Sequence, residues 1–360
     1  MKKLNDLFKI MVEKEASDLY LRTNATPRAR INGTVEVIDE TPLPKAELIS
    51  ITNFLLNNEN NKRIYKEKFD IDFIHEEEGV GRFRVNIFTQ RGTSAIVARH
   101  IHTKVKSFEE LNLPVKVLET FGDTDKGLFL VCGPAGNGKS TAIASLIDYI
   151  NGKSAKHIVT IEDPIEFLFK DNKSLINQRE LGIDVPNYPH ALRHVTQQSP
   201  DIIYIGNIRD EETMRAAVNA TELGTFVITT FHTINAVQTI IRILNFFPPH
   251  QHDEVRMQLS LILKGTIALR LLPKKDGTGR IPAYETMVVT PTIAHLIKEN
   301  EIKEIQNFID SGDLFGMQSF KQSLVNLVKA GQVDVEEARR ISDSKDEFDQ
   351  AMSGLKSRFD

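Results

Sequence analysis

The segment 133–141 reads Gly-Pro-Ala-Gly-Asn-Gly-Lys-Ser-Thr and fits the phosphate-loop pattern G-x-x-x-x-G-K-[ST]. The apolar run 127–132 before it predicts a buried strand, and the apolar spacing over 141–150 predicts a helix. In that context backbone N–H groups converge on phosphate oxygens, Lys139 reaches the β- and γ-phosphates, and Ser140 can hold Mg²⁺. The pattern predicts binding of a nucleoside triphosphate by Gly133, Gly136, Asn137, Gly138, Lys139, Ser140 and Thr141.

Composition limits the classes of protein to consider. The 360 residues suggest about two domains, and 41% apolar with 26% charged residues is typical of a globular protein. A net charge of −4 gives no global attraction to nucleic acid or to an anionic membrane, although a local basic patch stays open. The single cysteine, Cys132, excludes an intrachain disulfide and a cysteine-cluster zinc site. Lys264 and Arg270 interrupt the most apolar stretch, 259–272, so we expect a cytosolic protein.

Two domains of an α/β chain are expected. Residues 1–103 predict a small α+β domain with an opening amphipathic helix, alternating strands and a hairpin that turns at Asn32-Gly33. Residues 104–114 are charged and end in proline, which indicates a linker. From 115 to 360 strands alternate with helices, as in a mostly parallel sheet.

Three strands of the second domain end in polar residues, where open α/β sheets place their ligands. The strand 157–161 leads to Glu162, which can orient a water or belong to a solvated acidic turn. The strand 202–205 leads to Asn207, where a Walker B element usually presents an acid. The strand 226–230 leads to His232, which can sense a γ-phosphate or simply cap the strand.

The ordered motifs of the chain resemble the type IV pilus retraction ATPases, the PilT/PilU branch of the secretion ATPase family. The resemblance covers about residues 4–340, and the segments 245–248, 259–261 and 290–297 look closer to PilU than to PilT. It implies a ring of six subunits, each with a PAS-like first domain and a RecA-like P-loop ATPase domain that has a helical C-terminal part. The motifs are Ser17-Asp18-Leu19, the runs 81–86, 160–166 and 230–233, and Gly316-Met317-Gln318.

The resemblance also assigns site residues. Lys139 and Ser140 would hold the phosphates and Mg²⁺ of ATP, Glu162 is the best remaining carboxylate for water activation, and His232 falls on the family's His-box histidine. Arg84 and Arg99 fall where the family places guanidinium groups against the γ-phosphate. Their spacing of 15 residues fits delivery by neighbouring strands. A surface position for each arginine is the alternative.

Two departures from the family pattern concern the chemistry. Asn207 replaces the Walker B glutamate, and an amide cannot accept a proton, so loss of a general base there would lower the rate about 10²–10⁴-fold. Three explanations fit Asn207. The chain is a weakly active natural paralogue, it relies on Glu162 or Glu166 instead, or the residue is a deliberate substitution that traps ATP. The segment 292–297 also lacks the arginine that the family carries there.

Two classes of function follow from the resemblance. The first is a hexameric motor ATPase for pilus retraction and twitching motility. The second is an ATP-binding ring with little hydrolysis that regulates a paralogous retraction ATPase. Expected partners are copies of this chain in a homo-hexamer, such a paralogue, and the inner-membrane platform protein of a pilus machine, with no direct binding of nucleic acid. The chain is expected in the cytoplasm at the inner-membrane base of the pilus.

Overall fold

Two sheets organise the described part of the chain, residues 2–101 and 104–354 of a computed structural model. The contacts divide the chain into a first unit, Met1–Lys104 with Glu166–Leu168, and a second unit, Val105–Ile165 with Phe169–Asp360. The predicted end of the first domain, residue 103, lies outside the described residues. The predicted α/β class is confirmed, with an antiparallel sheet in the first unit and a mostly parallel sheet in the second.

The first unit is built on a six-stranded antiparallel sheet in the order β3-β2-β1-β6-β5-β4. The predicted hairpin is confirmed, because Asn32 and Gly33 both adopt positive φ angles, 49° and 89°, as a two-residue turn requires. Leu4, Leu7 and Phe8 lie on the buried face of the first helix. The elements are α1 (Lys2–Glu13), β1 (Asp18–Arg22), β2 (Arg28–Ile31), β3 (Thr34–Val37), α2 (Lys45–Leu55), α3 (Glu59–Lys68), β4 (Asp70–Glu77), β5 (Gly81–Gln90) and β6 (Thr93–Ile101).

The second unit holds seven strands within the described residues, in the order β13-β12-β7-β11-β10-β8-β9. All neighbours pair in parallel except β12 and β13, which form an antiparallel hairpin. The elements are α4 (Val115–Gly122), β7 (Gly127–Cys132), α5 (Lys139–Lys153), β8 (His157–Glu162), β9 (Leu175–Glu180), α6 (Tyr188–Val195), β10 (Ile202–Ile205), α7 (Glu211–Glu222), β11 (Phe226–Phe231), α8 (Ala236–Leu244), α9 (His252–Ile262), β12 (Leu263–Pro273), β13 (Arg280–Val288), α10 (Pro291–Lys298), α11 (Ile305–Asp310), α12 (Phe320–Lys329), α13 (Val335–Ile341) and α14 (Lys345–Met352).

Strand β7 shows why this sheet is covered on both faces. All six of its residues are buried, and alternate side chains point to opposite faces. Leu128, Leu130 and Cys132 join one core, whereas Phe129 and Val131 join the other. A strand that is apolar on both faces is typical of a parallel sheet flanked by helices.

Cys132 lies at the end of β7, next to the phosphate-loop segment, and its side chain is fully buried. Its Sγ lies 3.1 Å from the Thr239 hydroxyl. Burial raises the pKa of the Cys132 thiol to about 11, so the thiol stays protonated at neutral pH.

The segment predicted to be a linker, 104–114, belongs mostly to the second unit. Phe108 and Leu113 are buried in the core of that unit beside Phe121. The division into domains at 103 and 114 stays a prediction.

Candidate functional site

The loop between β7 and α5 has a backbone that requires glycine. Gly133 has a φ of 140°, and Gly136 and Gly138 have φ angles of 75° and 83°, which side-chain-bearing residues rarely adopt. A Cβ at Gly133 would also lie only 2.5 Å from the Leu269 carbonyl oxygen of β12. The glycines therefore occur at these positions because the loop backbone adopts φ angles that favour glycine.

Lys139 is the first residue of α5 and folds back over the loop. Its ammonium donates to the carbonyl oxygens of Gly133 at 2.7 Å and Pro134 at 3.0 Å, and the residue is 8% exposed. Gly138, the residue that caps α5, has no side chain to bond the first-turn N–H groups. Those donors and the helix dipole favour an anion at this point.

Asn137 anchors the loop to the neighbouring hairpin. Its Oδ1 accepts from the backbone N–H of Leu271 at 2.8 Å, and its Nδ2 donates to the Ala135 carbonyl at 3.2 Å. Arg280 Nη1 donates to the Gly136 carbonyl at 3.3 Å. The strands β12 and β13 thus fix the loop's shape.

The sheet order places the polar strand ends side by side. Strands β7, β11, β10 and β8 are consecutive and parallel, so their carboxyl ends meet at one edge. Along this edge lie Lys139 after β7, His232 after β11, Asn207 after β10 and Glu162 at the end of β8. We call these four residues the edge site. Sequence reasoning named all four, and the fold brings them together.

Glu162 is 6% exposed and is held by its neighbours. Its Oε1 accepts from the Thr160 hydroxyl at 2.6 Å and from Gln178 Nε2 at 3.2 Å. Next to it, Gly206 donates its N–H to the Ile161 carbonyl at 2.8 Å. These bonds fix a buried carboxylate against the end of β10.

His232 lies beside the lysine of the phosphate loop. Its Nδ1 is 3.4 Å from Lys139 Nζ. Burial, and then the positive charges of Lys139 and Arg209, hold the pKa of His232 below its ordinary value. A neutral imidazole can accept from the ammonium at Nδ1 and donate at its other nitrogen.

Asn207 lies between His232 and Glu162 and is 8% exposed. Its Nδ2 is buried and has no hydrogen-bond partner within residues 2–101 and 104–354. The buried Tyr188 hydroxyl lies beside the backbone N–H of Asn207. Burial, and then the charge of Asp163, raise the pKa of Tyr188, so its hydroxyl keeps its proton.

The two arginines of the first unit form a direct cross-strand pair. Arg84 on β5 lies opposite Arg99 on β6, so the predicted placement on neighbouring strands is confirmed, and their contact with a γ-phosphate stays a prediction. Arg84 contacts the Asp72 carboxylate at 3.4 Å, and Arg99 Nε donates to Asp18 at 3.0 Å. Within the first unit both guanidinium groups are therefore paired with carboxylates.

Sequence reasoning assigned no role to three residues around the edge site. Thr160 could have been found, because strand alternation puts it on the same face as Glu162. Gln178 and Tyr188 carry no such signal, since β9 and α6 approach β8 and β10 only in the folded chain.

Neither a resident metal cage nor a membrane span is found in the described residues. Their His, Cys, Asp and Glu side chains form no cluster of three that could ligate a metal ion. None of the helices described here has the length and apolar character needed to cross a bilayer.

Known proteins resemble the chain along nearly its whole length. The profile of a family described as type II/IV secretion system protein matches residues 1–340. The type IV pilus ATPase PilU of Pseudomonas aeruginosa is 38% identical over 342 residues, which cover 95% of this chain and 89% of that protein. The type IV pilus retraction ATPase PilT of the same bacterium is 38% identical over 345 residues, which cover 96% of this chain and 99% of that protein.

A solved structure has the same fold. The crystal structure of the pilus retraction motor PilT with bound ADP superimposes with a TM-score of 0.87 at 39% sequence identity. The match covers 96% of this chain and 99% of that one, so the likeness includes both units.

Proposed function

The chain belongs to the type II/IV secretion system protein family, in its PilT/PilU branch of pilus retraction ATPases, and from this membership we propose that it is a hexameric motor. The proposed reaction is hydrolysis of ATP to ADP and phosphate, coupled to retraction of a type IV pilus and so to twitching motility.

The edge site is the observation that carries this proposal. A glycine loop, an unblocked helix N-terminus and a buried lysine offer donors and positive charge to the phosphates. A buried carboxylate, Glu162, lies at the same sheet edge. Phosphoryl transfer requires this combination of phosphate binding and water orientation.

Mg²⁺ fits the residues present. This ion keeps most of its waters and needs few protein ligands besides the phosphate oxygens of a nucleotide. Ser140 in the first turn of α5 would supply a hydroxyl ligand, and the ion would neutralise phosphate charge. Gly133, Gly136, Gly138, Asn137, Lys139 and Thr141 are proposed to bind ATP with it.

Glu162 is the proposed base, because Asn207 cannot take that role. In the proposed step a water oxygen attacks the γ-phosphorus, the bond to the bridging oxygen of ADP breaks, and a water proton passes to the Glu162 carboxylate. The Asn207 amide can orient that water but cannot accept its proton. His232 is proposed to sense the γ-phosphate through its contact with Lys139.

A steady-state ATPase assay of the chain beside Asn207→Glu and Lys139→Ala tests this proposal. We expect slow turnover in the unmodified chain, turnover about 10²-fold faster in Asn207→Glu, and none in Lys139→Ala. Equal rates in the chain and Asn207→Glu would show that Asn207 does not limit the chemistry. Absence of hydrolysis in both would overturn the motor proposal.

Asn207 also favours a second candidate function, an ATP-binding ring that hydrolyses little and regulates a paralogous retraction ATPase. This function predicts tight binding of a fluorescent ATP analogue without turnover. It also predicts that adding this chain changes the ATPase rate of the paralogue in a mixture. If this chain has no effect on the ATPase rate of the paralogue, the regulatory function is wrong.

The assembly and location are proposed from the same family membership. We propose a homo-hexamer in the cytoplasm that acts at the inner-membrane base of a pilus machine with its platform protein. Each subunit would comprise the domains 1–103 and 115–360 with the connection 104–114. Native mass measurement with ATP should give six chains, and a monomer at micromolar concentration would contradict the ring.

A further inference from the structure

Arg270 on β12 is a charged residue that the fold buries. It is 9% exposed, and its Cζ lies 4.0 Å from the centre of the Phe320 ring on α12. Nη1 donates to the carbonyl of Ile341, the last residue of α13, at 2.8 Å. Nη2 donates to both carboxylate oxygens of Asp343, at 2.8 and 3.0 Å. Arg270 therefore holds α12, the end of α13 and the connection to α14.

The same guanidinium also reaches the segment that follows His232. Its Nη2 donates to the carbonyl oxygen of Ile234 at 3.4 Å. Two residues further on, the N–H of Ala236 donates to the carboxylate of Glu285 on β13 at 2.9 Å. A cation thus holds a carbonyl and a carboxylate holds an N–H, so both ends of the segment 234–236 are bonded to groups of complementary charge.

The register of the β12–β13 hairpin explains why these two charged residues meet the segment together. Arg270 lies opposite Ala283, and Glu285 lies opposite Ala268. The two charged residues are therefore diagonal neighbours on one face of the hairpin. Ala268 and Ala283 lie on this face and belong to the same core as the buried residues of α8, α12 and α13. The hairpin thus presents both charges where these helices pack.

His232 is the residue of this segment that reaches the edge site. Its Nδ1 lies 3.4 Å from Lys139 Nζ. Strand β11 ends at Phe231, so His232 is the first residue beyond the sheet. Its backbone is fixed by the strand on one side and by the bonded carbonyl of Ile234 on the other. The place of the imidazole beside Lys139 therefore depends on how firmly that carbonyl is held.

We propose that Arg270 and Asp343 are positioning residues that make recognition of the γ-phosphate by His232 depend on the C-terminal helices. Asp343 holds the guanidinium of Arg270, and the guanidinium holds the Ile234 carbonyl. A change in the C-terminal helices would then alter the preference of the edge site for ATP over ADP. The role at the γ-phosphate rests on the proposed function, whereas the contacts from Asp343 through Arg270 to Ile234 do not.

Asp343 is the residue of these contacts that can be changed with least damage to the core. Its side chain is 53% exposed, and asparagine has nearly the same size but no charge to hold Arg270. Asp349→Asn is the matched control, because this carboxylate also belongs to the C-terminal helices and is 47% exposed. It accepts from Arg339 Nε at 3.0 Å through both oxygens.

Hydrogen exchange without nucleotide, followed by mass spectrometry, tests the contacts themselves. In Asp343→Asn we expect the N–H groups over 236–239 to exchange about threefold faster or more, because the segment before α8 is held less firmly. Asp349→Asn should leave this exchange unchanged. The buried strand β7 reports any general loss of stability and should exchange as in the unmodified chain. Unchanged exchange over 236–239, or an equal rise over β7, would overturn the inference.

Titration with fluorescent ATP and ADP analogues tests the role at the γ-phosphate. We expect His232→Ala to lower the preference for ATP over ADP about tenfold and Asp343→Asn to lower it about threefold. The double variant should lie within about twofold of His232→Ala, because Asp343 acts through His232. Asp349→Asn should keep the full preference. Effects that multiply, or a full preference in Asp343→Asn, would overturn the positioning role.

The two experiments separate failure of this inference from failure of the proposed function. If His232→Ala keeps the full preference for ATP, the proposed sensing by His232 is wrong, and the exchange experiment alone decides whether Asp343 acts on the segment 232–236. Neither measurement requires that the chain hydrolyse ATP.

Discussion

Gly133 carries two separate constraints at a single residue. Its φ of 140° is one that residues with a side chain rarely adopt. A Cβ there would also overlap the backbone of β12, and a backbone cannot shift aside as a flexible side chain can. Gly136 in the same loop has a positive φ of 75°, but a Cβ added to it would have no atom within 4 Å. A side chain at Gly136 would therefore introduce backbone strain alone, whereas one at Gly133 would introduce both strain and overlap with β12.

Gly133→Ala should destabilise the second unit by about 3 kcal/mol or more, because strain and overlap add. Gly136→Ala should cost only about 1 kcal/mol, the strain alone. Urea unfolding followed by circular dichroism measures both. Equal losses in the two variants would show that the approach of β12 to the loop does not matter.

At the scale of elements, Glu285 on β13 caps the N-terminus of α8. Its carboxylate accepts from the Ala236 N–H at 2.9 Å and lies within 3.5 Å of Gln306 Nε2 on α11. Burial, opposed by the hydrogen bonds from Ala236 and Gln306, raises the pKa of Glu285 to about 7. A carboxyl group that is half protonated near neutral pH therefore joins β13, α8 and α11.

The stability of the chain should fall as pH rises from about 5 to 8. The folded state holds the Glu285 proton more tightly than the unfolded state, so this contribution is full below the ordinary pKa and is lost as pH passes through 7. The loss should be on the order of 2 kcal/mol. Glu285→Gln should flatten the melting-temperature profile over this range, and exposed Glu254→Gln should not. An unchanged slope in Glu285→Gln would contradict the assignment.

The elements that the sequence predicted are those with a clear buried face. The runs 127–132 and 202–205 coincide with β7 and β10, because all their residues are buried. The helix α3 was missed since its sequence is polar and none of its residues is buried. Strand β9 was missed for a similar reason: it is an edge strand in which only Glu180 is buried.

At the scale of the whole molecule, Arg84 and Arg99 are proposed to distinguish ATP from ADP. Each has a carboxylate partner within the first unit, and Asp18 contacts Arg30 at 3.6 Å as well as Arg99. Loss of Arg99 therefore leaves Asp18 with a second cation, and the fold should survive. Arg30 on β2 offers a control that shares this carboxylate.

Arg84→Ala and Arg99→Ala should each weaken ATP binding about tenfold while leaving ADP binding unchanged, because the proposed guanidinium bond to the γ-phosphate would be lost. Arg30→Ala should keep the full preference for ATP. Titration with fluorescent ATP and ADP analogues measures these affinities. If both variants keep the full preference for ATP over ADP, the two arginines act only within the first sheet.

The candidate site could be predicted where it follows strand ends, but not where it depends on packing. Glu162, Asn207 and His232 follow apolar runs, and parallel strands bring such ends together whatever the helices do. Tyr188 lies outside any strand, and only the docking of α6 on the sheet brings its hydroxyl over Gly206. Side chains supplied by a packed helix leave no periodic signal.

The buried thiol of Cys132 makes this chain well suited to site-specific fluorescent labelling. It is the single cysteine of the sequence, and maleimide dyes attack the thiolate, which a pKa of about 11 and full burial keep scarce and inaccessible. A cysteine introduced on the surface of each unit would thus be labelled without reaction of the dye at Cys132. Energy transfer between two such dyes would follow the separation of the units through the nucleotide cycle without removal of any native cysteine.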